Sequence, residues 1–260
     1  MTSAVPMYSI EPVYLATFLC TIVVCLCIFK FIGPWIMRRV TKKYDTLSYI
    51  KRVEVNETMM ALAHSAVVGV ASWYVYFTQD DIKPTLTRYN SPPVLFIDSI
   101  FFGFSVSDLV LLVIYRVFGL PFVLHHMMAA FNGYVVLAYR SMPYYCLTGM
   151  MMELSGPCTN MRFLLKVLDV DQTSTLYVRN SVAMLVSFIA FRITANGINL
   201  YNLFWLAFTD DFYQLTLAEY VSFVGGLLVF SVLNCYWLRK MIKGAIRLLH
   251  GQKKYDPTFF

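Results

Sequence analysis

Charged side chains are scarce in this chain: Asp, Glu, Lys and Arg make up 14% of its 260 residues, where soluble domains carry about 25%. Hydrophobic residues reach 58%, and the mean hydropathy is +0.61. A globule of this size cannot hide so much apolar surface from water, so lipid must solvate a large part of it. That excludes an ordinary cytosolic enzyme and a disordered tail protein. Cysteine spacing of a useful kind is also lacking. Cys20, Cys25, Cys27, Cys146, Cys158 and Cys235 all fall within apolar stretches and follow no metal-ligand pattern, which excludes a secreted disulfide scaffold and makes them small apolar packing residues. No metal site or bound cofactor is therefore expected. The sequence has no internal repeat and no low-complexity segment, and its longest loop, Met37 to Asn56, has room for no soluble domain. Basic residues are missing before Lys30, so the first apolar run reads as a retained span; a cleaved signal peptide or an Arg-rich mitochondrial presequence would begin with positive charge.

What is present is a series of apolar runs: Val13–Trp35, Thr58–Phe77, Pro93–Tyr115, Leu120–Tyr139, Pro143–Leu165, Ser181–Phe208 and Leu217–Leu238. Each supplies the ~20 residues that a helix needs to cross ~30 Å of hydrocarbon. The net charge of +6 comes largely from clusters flanking these runs, Arg38 to Arg52 and Arg239 to Lys254. Membrane topology accounts for such clusters, and they call for no nucleic-acid partner. With the C-terminus in the cytosol, seven spans place fifteen Lys and Arg residues on the cytosolic side and only Lys83, Arg88 and Arg140 on the other, beside Asp80, Asp81, Asp210 and Asp211. The bias predicts an all-α integral membrane bundle of about seven transmembrane helices with the N-terminus outside. Six spans is the alternative, because the fifth run carries Glu153, Pro157 and Arg162. Residues 1–49 hold the first span and a basic loop, 50–250 the main membrane domain, and 251–260 a short tail.

An ionisable side chain at bilayer depth costs about 2.5–3.5 kcal/mol, so each one needs a reason. Lys30, near the cytosolic end of its span, can snorkel. Asp98, near the outer end of the third span, is expected to reach the interface. The helical rise of ~1.5 Å per residue puts His64 roughly 12 Å, Asp108 roughly 10 Å and His125 and His126 roughly 9 Å from the cytosolic face. Three spans thus contribute to one polar layer. An aspartate beside an imidazole fixes its tautomer and raises its basicity, so the histidine can take a proton from an alcohol or amine, or accept an acyl group. Successive helical residues point about 100° apart, so His125 and His126 cannot share one role: one bonds Asp108 and the other faces a cavity. A purely structural cluster bonding three helices together is the other reading. Glu153 and Arg192, both near mid-membrane, are expected to pair, since an opposite charge is the cheapest partner for either. Arg162, closer to the cytosolic end, can snorkel to a phosphate or join Glu153.

The stretch GFSVSDLVLLVIYRVFGLPFVLHHMMAAFNGYVVLAYR, followed by MMELSGPCTNMRFLLK, resembles the core of the TLC-domain family, the membrane domain shared with ceramide synthases. The matching pieces are Ser107–Asp108, His125–His126, and Glu153, Ser155, Pro157, Asn160 and Arg162 of the E-L-S-x-P-x-x-N-x-R run; His64 in AHSAVVG matches a feature of one branch. The resemblance covers residues 50 to 250. It implies a multi-pass protein of lipid metabolism or homeostasis in an internal membrane, the endoplasmic reticulum or, for a subunit of a complex, the mitochondrial inner membrane. It further implies an intramembrane cavity for an acyl-chain or sphingoid-type lipid. If the chain is an enzyme, the resemblance implies His125, His126 and Asp108 as catalytic residues and acyl-CoA as co-substrate, with His64, Glu153, Ser155, Arg162 and Arg192 supporting lipid binding. The second acidic motif of ceramide synthases is missing, and Met152, Glu153, Leu154 and Ser155 stand where it would fall. The alternative is a non-catalytic accessory subunit that uses the fold as an anchor among membrane-protein partners.

Overall fold

With no water inside a bilayer, a backbone must satisfy its own hydrogen bonds, and a helix does so locally. The computed structural model describes residues 9–117 and 119–249 and is built of helices; the single isolated extended bridge among the described residues joins Arg88 and Ser141. The long helices are α1 (Pro12–Val40), α2 (Tyr49–Thr78), α3 (Pro92–Tyr115), α4 (Leu120–Tyr139), α7 (Thr175–Leu206) and α8 (Leu217–Arg247), all six long and apolar enough to cross a membrane. Between α4 and α7 come two short helices, α5 (Pro143–Met151) and α6 (Gly156–Val167), joined by a 3₁₀ turn at Met152–Ser155.

Local chemistry sets these boundaries. Proline occupies the first turn of α1, α3, α4, α5 and α6, where its missing N–H is no loss and its fixed φ suits the helix. Ser48 and Ser174 cap α2 and α7 by accepting from Lys51 N and Tyr177 N, and Thr216 with Glu219 forms a capping box on α8. Arg116 and Arg140 end α3 and α4 in the left-handed conformation. Three π-helical turns interrupt the long helices, at Ile28–Ile32 in α1, Phe188–Ile193 in α7 and Tyr220–Gly225 in α8.

The fifth apolar run thus departs from the expectation of a seventh uninterrupted span. Pro157 lacks the N–H that a through-going helix needs, and the backbone tightens into the 3₁₀ turn just before it. Among the described residues the continuous spans number six. The broken α5–α6 pair still passes along the whole of α2: Tyr144 lies 6.2 Å from Tyr76 ring to ring, and Leu164 packs with Tyr44 and Val55.

Around this axis α1 covers α3, α3 packs on α2 and α4, α4 meets α8, and α7 closes the bundle against α5, α6 and α8. Val23, Val113, Ile114, Trp205 and Val232 point away from it, exposed to the surrounding hydrocarbon. Ion pairs hold the two ends. At one, Arg140 Nη2 lies 2.5 Å from Glu11 Oε1 and Arg88 Nη2 donates to the fully buried Glu219 at 2.7 Å; at the other, Arg38 pairs with Asp45 at 3.0 Å and Lys43 with Asp169.

The closest helix approach depends on missing side chains. A Cβ at Gly156 would stand 2.4 Å from Ser65 Cβ, and one at Gly69 would stand 2.8 Å from the backbone nitrogen of Leu154. Gly156→Ala should therefore lower stability by about 1–3 kcal/mol through overpacking, read as a drop in unfolding temperature in detergent. Adding Ser65→Gly should restore much of the loss, because the obstructing atoms are then gone; an unaltered double variant would contradict this packing.

Candidate functional site

Four helices converge on the polar layer. Asp108, on α3, is almost wholly buried, and Nε2 of His126, on α4, lies 2.9 Å from its Oδ2. His126 Nδ1 is buried with no hydrogen-bond partner among the described residues. Its neighbour His125 turns the other way. The His125 ring stands 5.0 Å from that of His126 at 82° and within 5.2 Å and 5.5 Å of the Phe230 and Trp237 rings of α8. The two histidines thus divide as consecutive helical residues must, and His126 is the one beside the aspartate.

His64 comes close to the pair without reaching the cavity. Its ring stacks on Phe104 at 3.7 Å and 8°, and Phe104 separates it from His126, whose ring is 5.9 Å further on. The position on that face of α2 which does reach Asp108 is Glu57, two helical turns before His64; its buried carboxyl faces that of Asp108.

The second cluster joins α5–α6 to α7. Arg192 Nε donates to Ser155 Oγ at 2.8 Å, and its Nη2 lies 3.3 Å from Glu153 Oε1. Arg192 sits in the π-helical turn of α7, where Thr194 Oγ1 donates to Ile189 O at 3.1 Å across five residues. Arg162 stays apart from this group, stacked on Tyr177 on the outer side of α6, with Cζ 3.7 Å from the ring centroid.

The clusters share walls. A cavity of about 140 Å³ is lined by Glu57, Asp108, His125, His126, Glu153 and Arg192, with Phe104 and Trp237 among its apolar surfaces. A second chamber of about 80 Å³ also touches Phe101, His125, Glu153 and Arg192 and continues to Asp98. Asp98 is buried, and Cys146 Sγ donates to its Oδ1 at 3.4 Å. This corrects the expectation that Asp98 reaches the interface and Cys146 is only packing: α3 runs on beyond Asp98 to Pro92, so the carboxyl points into the bundle. Asn132, Asn196, Asn199 and Asn234 line the same chamber. Asn196 donates to Ser231 of α8 at 2.8 Å and Asn199 accepts from Thr148 of α5 at 2.8 Å.

Sequence reasoning missed Glu57 and the asparagines. The seven-residue spacing between Glu57 and His64 was a usable signal, since it places both on one helical face. The asparagines carry no charge and drew no attention, although an amide in hydrocarbon needs a partner almost as much.

Arg192→Ala should cost about 3–5 kcal/mol, because it leaves the Glu153 carboxylate buried without its cation. Unfolding temperatures should fall sharply in the single variant and recover in Arg192→Ala with Glu153→Met; equal instability of the two would contradict the pairing.

The model of the TLC domain matches residues 54–243. TLC domain-containing protein 4 of Homo sapiens is 27% identical over 232 residues, 85% of each chain. TLC domain-containing protein 4-B of Xenopus laevis is 26% identical over 91% of this chain and 93% of its own, and TLC domain-containing protein 4 A of Dictyostelium discoideum is 24% identical over 81% of each. The double histidine and the broken α5–α6 segment lie within the matched region, and the chain belongs to the TLC-domain family of membrane proteins.

Proposed function

We propose that this protein binds the acyl chain of a lipid within the bilayer and uses His126 and Asp108 as an acid–base pair for acyl transfer. The observation that carries this reading is the 2.9 Å contact between His126 Nε2 and Asp108 Oδ2 on the wall of a cavity between the helices. A purely structural cluster has no need of a void beside it, and filling the space would add dispersion contacts. At ~30 Å³ per water, the cavity has room for a few waters or a short length of chain.

In the proposed step His126 takes the proton from the hydroxyl or amino group of the lipid acceptor while Asp108 steadies the imidazolium. The freed electron pair attacks the carbonyl of an acyl thioester, for which acyl-CoA is the co-substrate. The carbon–sulfur bond breaks, and His126 returns the proton to the departing thiolate. Arg192 and His125, on the wall shared by the two chambers, line the route between the reacting groups and the asparagine-lined space. An internal membrane, the endoplasmic reticulum, is the proposed location.

Purified protein in liposomes, given acyl-CoA with a labelled acyl group, should transfer the label to a lipid acceptor. His126→Ala and Asp108→Asn should each lower that transfer by about 100-fold or more, in line with loss of general acid–base catalysis, while the variants remain inserted and folded. Absence of transfer by the unaltered protein, together with instability of both variants, would sink the catalytic reading and leave the fold as an anchor for partner proteins.

A further inference from the structure

A third cavity lies outside the site just described, between α7 and α8, and at about 480 Å³ it is larger than either inner chamber. Its two ends differ in character. One holds Arg162, Lys240, Gln172 and Thr173, whose hydroxyl donates to Asp171 behind it; the rest is apolar but for Ser181, and no acidic residue is among the described residues that line it. Val178, Val182 and Val186, at four-residue intervals on α7, line the cleft and are also substantially exposed on the lipid-facing surface. The cleft thus opens sideways into hydrocarbon while its polar end sits at the end of the bundle where the chain pairs Lys43 with Asp169.

The Arg162 guanidinium is the unusual feature. One face is covered by the buried Tyr177 ring at 3.7 Å, and its Nε and Nη1 are buried with no hydrogen-bond partner among the described residues. Two buried N–H donors of a cation left unmatched are costly, and the acceptor that fits a guanidinium edge is a two-oxygen anion, a carboxylate or a phosphate. The acids near Arg162 in the chain have other partners: Glu153 is taken by Arg192, Asp169 by Lys43, and Asp171 accepts from Thr173. The N-terminus of α7, which follows the Ser174 cap, adds the positive end of a helix dipole, shared with the Asp171 carboxylate that accepts from Thr173.

We propose that this cleft is a binding site for an anionic phospholipid, the phosphate held by Arg162 and Lys240 and an acyl chain laid along the valine face of α7. A headgroup phosphate supplies the anion at the depth of Arg162, and only a ligand with a chain makes use of the apolar remainder. Trp237 and Met241 line both this cleft and the cavity of His126, so the bound chain would lie against the outer side of the same wall. The proposal does not depend on acyl transfer.

Trp237 is the probe. The full chain with Trp35, Trp73 and Trp205 replaced by Phe is placed in phosphatidylcholine vesicles containing a minor fraction of phosphatidylglycerol, with bromine on the chains of either one lipid or the other. Brominated phosphatidylglycerol should quench Trp237 more than brominated phosphatidylcholine does at equal mole fraction. Arg162→Gln and Lys240→Gln should each reduce that preference about fivefold, the effect of one basic residue on an anionic lipid, while Arg38→Gln, at the same end but outside the cleft, should leave it intact. Equal quenching by the two lipids, or an undiminished preference in both cleft variants, would overturn the proposal. Loss of the preference on adding inorganic phosphate, at an ionic strength matched with chloride, would overturn the lipid assignment in favour of a soluble phosphate.

Discussion

Hydrocarbon offers no hydrogen bonds, so a polar group in the middle of this bundle is drawn to a partner in another part of the chain. The consequences run through the whole architecture. Arg192 ties α7 to Glu153 and Ser155, Asn196 ties it to α8 and Asn199 ties it to α5. Asn180 Nδ2, nearer the start of the helix, donates to Cys158 O of α6 at 3.0 Å. A helix whose apolar surface faces lipid on one side gains little from hydrophobic burial, because lipid tails are as apolar as its neighbours. Its position is set instead by this line of amides and one guanidinium. The same rule turns Glu57, Asp98 and Asp108 inward, onto the walls of two largely apolar chambers.

Much of this was legible in the sequence, and the boundary of what was legible is physical. Counting helical rise from the span ends brought Asp108 and the His125–His126 pair to one depth, and His126 does meet Asp108. Depth, however, leaves rotation about each helix axis open, so it did not say which histidine faces the carboxyl or that Phe104 stands between His64 and the pair. Glu57 was lost for a different reason. The apolar run begins at Thr58, but the helix begins at Tyr49 under its Ser48 cap, so a residue taken for the boundary lies in the third turn. Pro157 marked the fifth run as breakable; that both halves would keep to α2 depends on Gly69 and Gly156, whose closeness to their neighbours only the packed structure reveals. The π-helical turns left no trace in composition, since Phe188–Ile193 and Tyr220–Gly225 read as ordinary apolar helix.

The aromatic rings around the site have a part of their own. Phe104 lies flat on His64, and Phe230 and Trp237 meet His125 edge-on. A ring fills space without offering a strong hydrogen-bond partner, and Nδ1 of His125 and Nδ1 of His126 are buried with no partner among the described residues. A protein built only for stability would match these atoms with donors or acceptors. Leaving them bare keeps them available to whatever occupies the space.

The π-helical turn in α7 also governs how the chain can change in length. A π turn carries one residue more than the α turn it replaces, and Phe188–Ile193 lies between Asn180 on one side and Asn196 and Asn199 on the other. Because the wider turn sweeps about the same angle with one residue more, losing a single residue there would restore a regular helix and leave Asn180 and the Asn196–Asn199 pair facing their present partners. The same loss in the regular part of α7 between these asparagines would rotate everything beyond it by about 100°, and Asn196 and Asn199 would part from α8 and α5 together. A change of one residue that the rest of this stretch cannot take is absorbed at the π turn.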